Sequence, residues 1–445
     1  MTEQNCFEQV KKIIDNGKNI FITGGGGVGK SFLLNQLKEH YVDELHMTST
    51  TGISAINING QTLHSWAGIG IADKPISDVV KRIRKKPTLF KQIITCKKLA
   101  IDEISMLDNF TMQYVDTVLR QIRENDNPFG GIQVILVGDF FQLPPVKVDQ
   151  TDGIDFCFNS TTWEELNLTT IYLNKVRRQS EKRYIEALNN VRIDKTSAED
   201  LKVFYERDFD NTYEPDKNIL RIFGINKDAD AYNTKCFEEI EERPYTYNST
   251  DILYQYSLLD DTCSSIEIND GTAEKISQTD KWCIEQFEKD CKAPRKLELK
   301  EGCRVMLLKN LDLNKGLANG ACGTIKNLTT ASIDVLFDNG IRVNLEPIDF
   351  EYQQESRPKI IRKQYPLRLA YGITIHKSQG MTFDRLVVNF NKIFDYGQAY
   401  VALSRTRSLE GLIIKGFNHN KIVANPKVIN FYNELKKDKN CLIFQ

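Results

Sequence analysis

The stretch GGGGVGKSF, Gly24 to Phe32, follows the short apolar run NIFIT. Consecutive glycines weaken a strand or helix interior, because glycine loses the most conformational freedom on folding. Their placement between two apolar elements is therefore informative. Asn19 to Thr23 reads as a buried strand, and Phe32 to His40 as a helix with Phe32, Leu33, Leu34 and Leu37 on an apolar face. Gly24, Gly29, Lys30 and Ser31 satisfy G-x-x-x-x-G-K-[ST]. Such a loop lets backbone N–H groups turn inward around phosphate, and the helix N-terminus adds partial positive charge. The expected cradle is Gly24, Gly25, Gly26, Gly27, Val28 and Gly29, with Phe32 at its border. Lys30 is expected to reach the β- and γ-phosphates and Ser31 to ligate Mg2+. A glycine-rich turn with a chance lysine is the bland alternative, and the flanking strand and helix argue against it.

The other half of a magnesium site should be carboxylates at a strand end, and CKKLAIDEISMLD supplies them. Leu99, Ala100 and Ile101 lead to Asp102, expected to hold the metal, and Glu103, expected to orient or deprotonate the attacking water. Alone, the pair could equally be a solvated strand edge. A further strand, Gln133 to Val137, ends in GDFFQLPPV. Gln142 sits just past it, where ligands bind in parallel α/β sheets, and its amide can sense a γ-phosphate. Its alternative is a surface loop held by Pro144 and Pro145. Between these strands Leu107, Phe110, Tyr114, Val115, Val118, Leu119 and Ile122 recur at helical spacing, as a packing helix.

At 445 residues the chain exceeds one ordinary core and implies about two to four domains. Hydrophobic content of 41% with 27% charged residues is that of a soluble globular protein. No apolar run approaches the ~18 residues of a membrane span. MTEQNCFEQVKKIIDNG lacks a secretory core and a transit-peptide composition, so an intracellular protein is expected, cytoplasmic or nuclear. The ten cysteines form no C-x-x-C pair and read as free thiols. A net charge of -1 gives no bulk attraction to nucleic acid, so any such binding must use local clusters.

TSTTGISAININGQTLHSWAGIG, IDEISMLD, NPFGGIQVILVGDFFQLPPV, AYGITIHKSQGMTFD and GQAYVALSRTRSLEGL resemble, in order and spacing, the PIF family of DNA helicases. That family lies in superfamily 1B and is related to the RecD helicases. The resemblance runs from about Gln4 to about Phe417, and it implies an α/β fold of two RecA-like P-loop lobes with parallel sheets. The first lobe would span 1–180, with a small wedge within about 66–98. The second would span 181–300 and 362–445, interrupted by an SH3-like β-barrel at 301–361. The alternation and the Asp-Asn-Gly turn between Leu297 and Ile361 agree with a small barrel. Glu241 to Lys296 reads as an irregular acidic insertion.

The resemblance further implies that Gln4 reads adenine, that Arg405 in ALSRTR is an arginine finger, and that Arg178 in VRRQ is another. The family usually has an aromatic where Arg177 stands, which leaves open which of the two arginines faces the nucleotide. Gly380 and Glu410 would help in the same cleft; a turn glycine and a surface acid are their alternatives. For DNA it implies Thr50, Thr51, Thr62, His64, Ser65 and Trp66 from the first lobe, and Thr374, His376, Lys377 and Ser378 from the second. Hydroxyls and imidazoles of this kind grip phosphate and sugar without reading sequence. Trp66 fits either base stacking or a core. The basic run VKRIRKKPTLFK fits a solvated helix face better than a phosphate contact.

The expected function is an ATP- and Mg2+-dependent DNA helicase that moves 5′ to 3′ on single-stranded DNA and unwinds duplex or forked DNA. Replication, repair, recombination and telomere maintenance are its expected settings. It is expected to be a monomer. Unwinding of G-quadruplex DNA stays open, as do two other classes: a nucleic-acid-stimulated clamp or remodeller that unwinds nothing, and an RNA-directed helicase.

Overall fold

In the computed structural model the apolar run before the glycines forms strand β1 (Ile20–Thr23), buried at every position. The structure describes residues 3–444 apart from 59, 71, 146–153, 211, 257–262, 269–275, 292, 313–314, 318 and 355–356. Five more strands lie beside β1 in chain order: β2 (Leu45–Ser49), β3 (Gln61–Thr62), β4 (Lys98–Asp102), β5 (Gln133–Gly138) and β6 (Thr169–Leu173). With the strand Cys441–Phe444 they make a seven-stranded sheet ordered Cys441–Phe444, β6, β1, β5, β4, β2, β3. Every pairing in it is parallel.

Side chains alternate between the faces of a strand, and here both faces are covered. Phe21, Leu99, Ile101, Val134 and Leu136 enter one core. Their neighbours Ile20, Ile22, Ala100, Ile135 and Val137 enter the other, with Leu33, Leu34 and Leu37 of the helix Lys30–His40. Each such burial stabilises by roughly 1.5–3 kcal/mol. This is why the strands read as unbroken apolar runs.

The helix Asn109–Arg123 packs Val115, Val118, Leu119 and Ile122 inward, as its spacing predicts. Phe110 is the exception and stays 64% exposed beside Tyr114. Within 66–98 the chain forms two short helices, Ile76–Arg84 and Pro87–Thr95. Val79, Ile83, Leu89 and Ile93 tie them into the first core. The basic run is partly structural: Arg82 donates to the Gly68 carbonyl, and Arg84 to Gln121 O and Glu124.

A second parallel arrangement places Leu386–Asn389 between β7 (Arg221–Phe223) and Leu412–Lys415. The expected division put all of 362–445 with this lobe. Instead Cys441–Phe444 pairs with β6 of the first sheet, and Val428 and Tyr432 of the helix Pro426–Leu435 enter the first core. The tail covers the open edge of β6, whose N–H and C=O groups would otherwise lack partners.

The chain divides into two compact units, Met1–Ile225 with Thr374–Gln445, and Asn226–Ile373. In the second unit an antiparallel five-stranded sheet runs Arg342–Leu345, Ile333–Phe337, Cys322–Leu328, Arg304–Leu307, Leu367–Leu369. It encloses Val305, Leu307, Ile325, Val335 and Phe337. The Asp-Asn-Gly turn predicted from sequence closes one hairpin, with Gly340 at φ 84°. The segment expected to be irregular holds regular elements, among them Tyr245–Asn248, Thr250–Tyr256 and the helix Gln278–Asp290. Their alternation was hidden by polar faces: Arg362, buried, donates to both carboxylate oxygens of Asp251 from the neighbouring strand. All ten cysteines are free. Among the described residues no helix is long and apolar enough to cross a membrane, and no cluster of His, Cys, Asp and Glu could hold a metal.

Candidate nucleotide cleft and nucleic-acid surface

The glycine loop leaves the end of β1 and turns into the helix Lys30–His40. Gly24 has φ 141°, and a Cβ there would lie 2.1 Å from Leu173 O of β6, so only glycine fits. Gly29, at φ 95°, caps the helix. Lys30 Nζ donates to Gly24 O at 2.8 Å and Gly25 O at 2.9 Å. Desolvation holds this ammonium below its ordinary pKa, opposed first by Asp139 and then by Glu103.

β4 delivers the two acids. Asp102 accepts from its neighbour's backbone, Glu103 N to Oδ1 at 2.9 Å. Glu103 itself takes the left-handed conformation, φ 52°, which swings it off the strand line. Burial, then the Glu103 charge, pushes Asp102 up to about 7. Burial also raises Glu103, whose Oε2 accepts from Gln379 Nε2 at 2.9 Å.

These groups share one cleft of about 510 Å³. Gly26, Gly27, Gly29, Lys30, Ser31, Phe32, Asp102, Glu103 and Gln142 line it from the first lobe. Arg178, Gly380 and Arg405 line it as well, with Arg177, Thr382 and Arg407. Gln142 is buried on a loop held by Gln142 N to Asp139 O, 2.9 Å. Arg178 is half-buried and donates from Nη1 to Ser404 O at 3.2 Å, while Arg177 is exposed. Arg405 is 1% exposed and held by Val401 O at 2.7 Å, Ser404 Oγ at 2.8 Å and Met381 O at 3.4 Å. Burial, then the Arg178 charge, pushes its guanidinium down to about 9.

Several sequence expectations meet a different placement. Phe32 is 52% exposed at the cleft and is not on the buried face of its helix, because Leu33, Leu34 and Leu37 fill that face. The Val28 side chain turns away into the core under the sheet. Glu410 is exposed and does not line the cleft; its carbonyl accepts from Arg207 at 2.7 Å. Gln4 lies in the helix Glu3–Asp15, and its side chain falls outside the described residues.

The residues expected on DNA follow the strand ends. Thr50 and Thr51 follow β2, and Thr62 ends β3. Thr50 Oγ1 donates to Glu103 O at 2.8 Å, which joins this edge to the cleft. Thr62 caps the helix Leu63–Ala67 by accepting from Ser65 N, leaving His64 and Ser65 half-buried. Thr374, buried, caps Ile375–Ser378 in the same way, with His376 exposed and Lys377 half-buried. Trp66 is corrected to a core residue: it is 1% exposed, and Nε1 donates to His46 Nδ1 at 2.9 Å. Ser378 is also fully buried, its hydroxyl spent on Ile375 O at 2.7 Å.

No motif announces the roles of Tyr400, Gln379, Asp139 and Arg192. The first three lie inside quoted motifs, GQAYVALSRT, HKSQG and GDFFQLPP, so their positions were visible without their roles. Arg192, in NNVRIDK, carried no signal at all.

A glycine cradle on one parallel sheet, paired acids on the next strand but one, and arginines gathered opposite place the chain in the RecA-like P-loop class. Comparison with known proteins narrows this. A family model for PIF1-like helicases matches residues 1–200, and one for the DNA helicase Pif1 2B domain matches 285–328. The ATP-dependent DNA helicase Pif1 of Bdellovibrio bacteriovorus is 33% identical, over 95% of this chain and 90% of that protein. The ATP-dependent DNA helicase PIF1 of Xenopus laevis is 31% identical over 98% of this chain, which spans 65% of that relative's length. Bacteroides Pif1 in complex with ADP-AlF4 superposes with a TM-score of 0.79 at 29% identity, covering 99% and 98% of the two chains. The same relative bound to ssDNA gives 0.66 at 29% identity, with the same coverage. The chain belongs to the PIF1 family of helicases.

Proposed function

We propose that this chain is an ATP-dependent DNA helicase that moves 5′ to 3′ along single-stranded DNA and unwinds duplex or forked DNA. The carrying observation is the convergence of Lys30, Glu103, Arg178 and Arg405 on one cleft. Lys30 binds the terminal phosphates of ATP, displaced from its two backbone carbonyls. Glu103 orients the attacking water and accepts its proton, with Gln379 fixing the carboxylate. Arg178 and Arg405 stabilise charge on the transferring phosphoryl group, and Gln142 senses it. Ser31 and Asp102 both line the cleft and offer oxygen donors, the set that a magnesium ion takes. When bound, Mg2+ supplies charge neutralisation at the phosphates.

Strand grip is assigned to Thr50, Thr51, Thr62, His64 and Ser65, with Thr374, His376 and Lys377. The link from Thr50 to Glu103 supports a coupling of DNA contact to hydrolysis. The ssDNA-bound Bacteroides relative supports single-stranded DNA as the ligand. Intracellular action as a monomer completes the reading, and ten free thiols suit a reducing compartment.

The test is strand separation on duplexes carrying a 5′ or a 3′ tail, with ATP and with Lys30→Ala as control. Unwinding from the 5′ tail only, lost in the variant while DNA binding persists, is expected. ATP hydrolysis without strand separation would point to a clamp, and stronger stimulation by RNA to an RNA-directed enzyme.

A further inference from the structure

Gly26 N–H donates to the phenolic oxygen of Tyr400 at 2.6 Å. Tyr400 is 4% exposed and sits on the helix Gln398–Leu403. A Cβ placed on Gly26 would lie 3.2 Å from Tyr400 Oη and 3.5 Å from both Arg178 Nη1 and Arg405 Nη2. The hydroxyl and the two guanidinium groups therefore meet at one point of the cradle. We infer that Tyr400 is a latch on the cradle, which the third phosphate of a bound nucleotide must displace.

Gly26 has one N–H, and an amide proton serves one acceptor well. A charged phosphate oxygen is a stronger acceptor than a neutral phenol, so the phosphate takes the bond when it arrives. Gly26 is the cradle residue beside both arginines, which marks it as the end facing a third phosphate. A diphosphate leaves the Tyr400 bond in place. Displacement moves the segment that carries Arg405, because Arg405 Nε is bonded to Val401 O of the same helix. Tyr400 is thus a positioning residue that ties arrival of the triphosphate to placement of the finger.

This rests on the reading of the cleft as a nucleoside triphosphate site and not on DNA. Tyr400→Phe keeps the buried ring and removes the competing acceptor. Equilibrium binding of ATPγS and of ADP, each with Mg2+, tests it. Affinity for ATPγS is expected to rise roughly two- to tenfold, the worth of one hydrogen bond, while ADP stays within about twofold. Weaker ATPγS binding would make Tyr400 a phosphate ligand and overturn the latch. An equal change for both nucleotides would make it merely structural and overturn it too. In the wild-type sequence, 3-fluorotyrosine at 400 is expected to shift its 19F resonance with ATPγS and not with ADP; identical responses overturn the proposal. Failure of either nucleotide to bind overturns both this and the reading of the cleft, whereas loss of unwinding with the ATPγS/ADP split intact faults the helicase reading alone.

Discussion

Arg192 Nε and Nη2 donate to the two carboxylate oxygens of Asp139 at 2.9 and 2.7 Å, with both side chains buried. Asp139 directly follows β5, and Arg192 ends the helix Lys182–Arg192. The guanidinium also lies over the rings of Phe141, at 4.7 Å, and Tyr432, at 5.3 Å. Tyr432 in turn bonds Thr23 Oγ1, the residue before the cradle, at 2.6 Å. Four separate parts of the chain, at Thr23, Asp139–Phe141, Arg192 and Tyr432, therefore meet at the end of β1. Removing one partner of such a buried pair leaves an uncompensated charge, which costs about 3–5 kcal/mol. Asp139→Ala should lower unfolding free energy by that amount in urea denaturation. A loss below about 1 kcal/mol would mean that water or another group already compensates Arg192.

The neighbouring arginines at 177 and 178 should separate cleanly. Arg178 reaches across to Ser404 O and lies beside Gly26, whereas Arg177 is exposed, with its stem beside Gly29. An arginine that stabilises a transferring phosphoryl group is worth about 10³-fold or more in turnover. DNA-stimulated ATPase should fall by about that factor in Arg178→Ala and in Arg405→Ala. Arg177→Ala should lose less than about tenfold, in line with one exposed charge contact. The reverse ranking in steady-state assays would reassign the finger to Arg177.

What could be read from the sequence was whatever is local. Gly24 to Ser31, Asp102 and Gln142 each announce themselves by a strand end, a spacing or a turn, and of these Gly26, Gly27, Gly29, Lys30, Ser31, Asp102 and Gln142 line the cleft. Burial is not local. Trp66 and Ser378 sit in motifs beside exposed or half-buried residues, and only packing from distant segments decides that they face inward. The same holds for Cys441–Phe444, which the expected division puts with the second lobe but whose pairing partner is β6 of the first sheet. Arg192 is the extreme case, a charge on a polar helix whose meaning depends wholly on an aspartate 53 residues earlier.

The bond from Gln379 to Glu103, 2.9 Å long, gives a kinetic expectation. A hydrogen bond to a charged group contributes about 1.5–3 kcal/mol, and here it orients the carboxylate that handles water. Gln379→Ala should therefore cut kcat for ATP by roughly tenfold or more, with KM nearly unchanged, since Gln379 does not line the phosphate cradle. Gln379→Glu would set two acids together and should be at least as slow. If KM rises while kcat holds, Gln379 contributes to nucleotide binding and not to the water.

The Trp66–His46 pair carries a pH signature. Trp66 Nε1 is only a donor, so its 2.9 Å partner His46 Nδ1 must be unprotonated. Burial holds His46 below its ordinary value of 6.5. With the folded pKa depressed, the unfolded chain binds the extra proton first, and stability present above pH 6.5 is lost as pH falls towards the folded value. The slope can reach about 1.4 kcal/mol per pH unit while one extra proton separates the two states. His64, also depressed by burial, adds to the same acid limb. His46→Gln keeps an acceptor for Trp66 and cannot titrate, so its unfolding free energy should fall less steeply than that of the parent as pH drops below 6.5. Parallel profiles for the two proteins would show that His46 does not titrate on unfolding, and that the acid sensitivity of this core belongs to His64 and its neighbours.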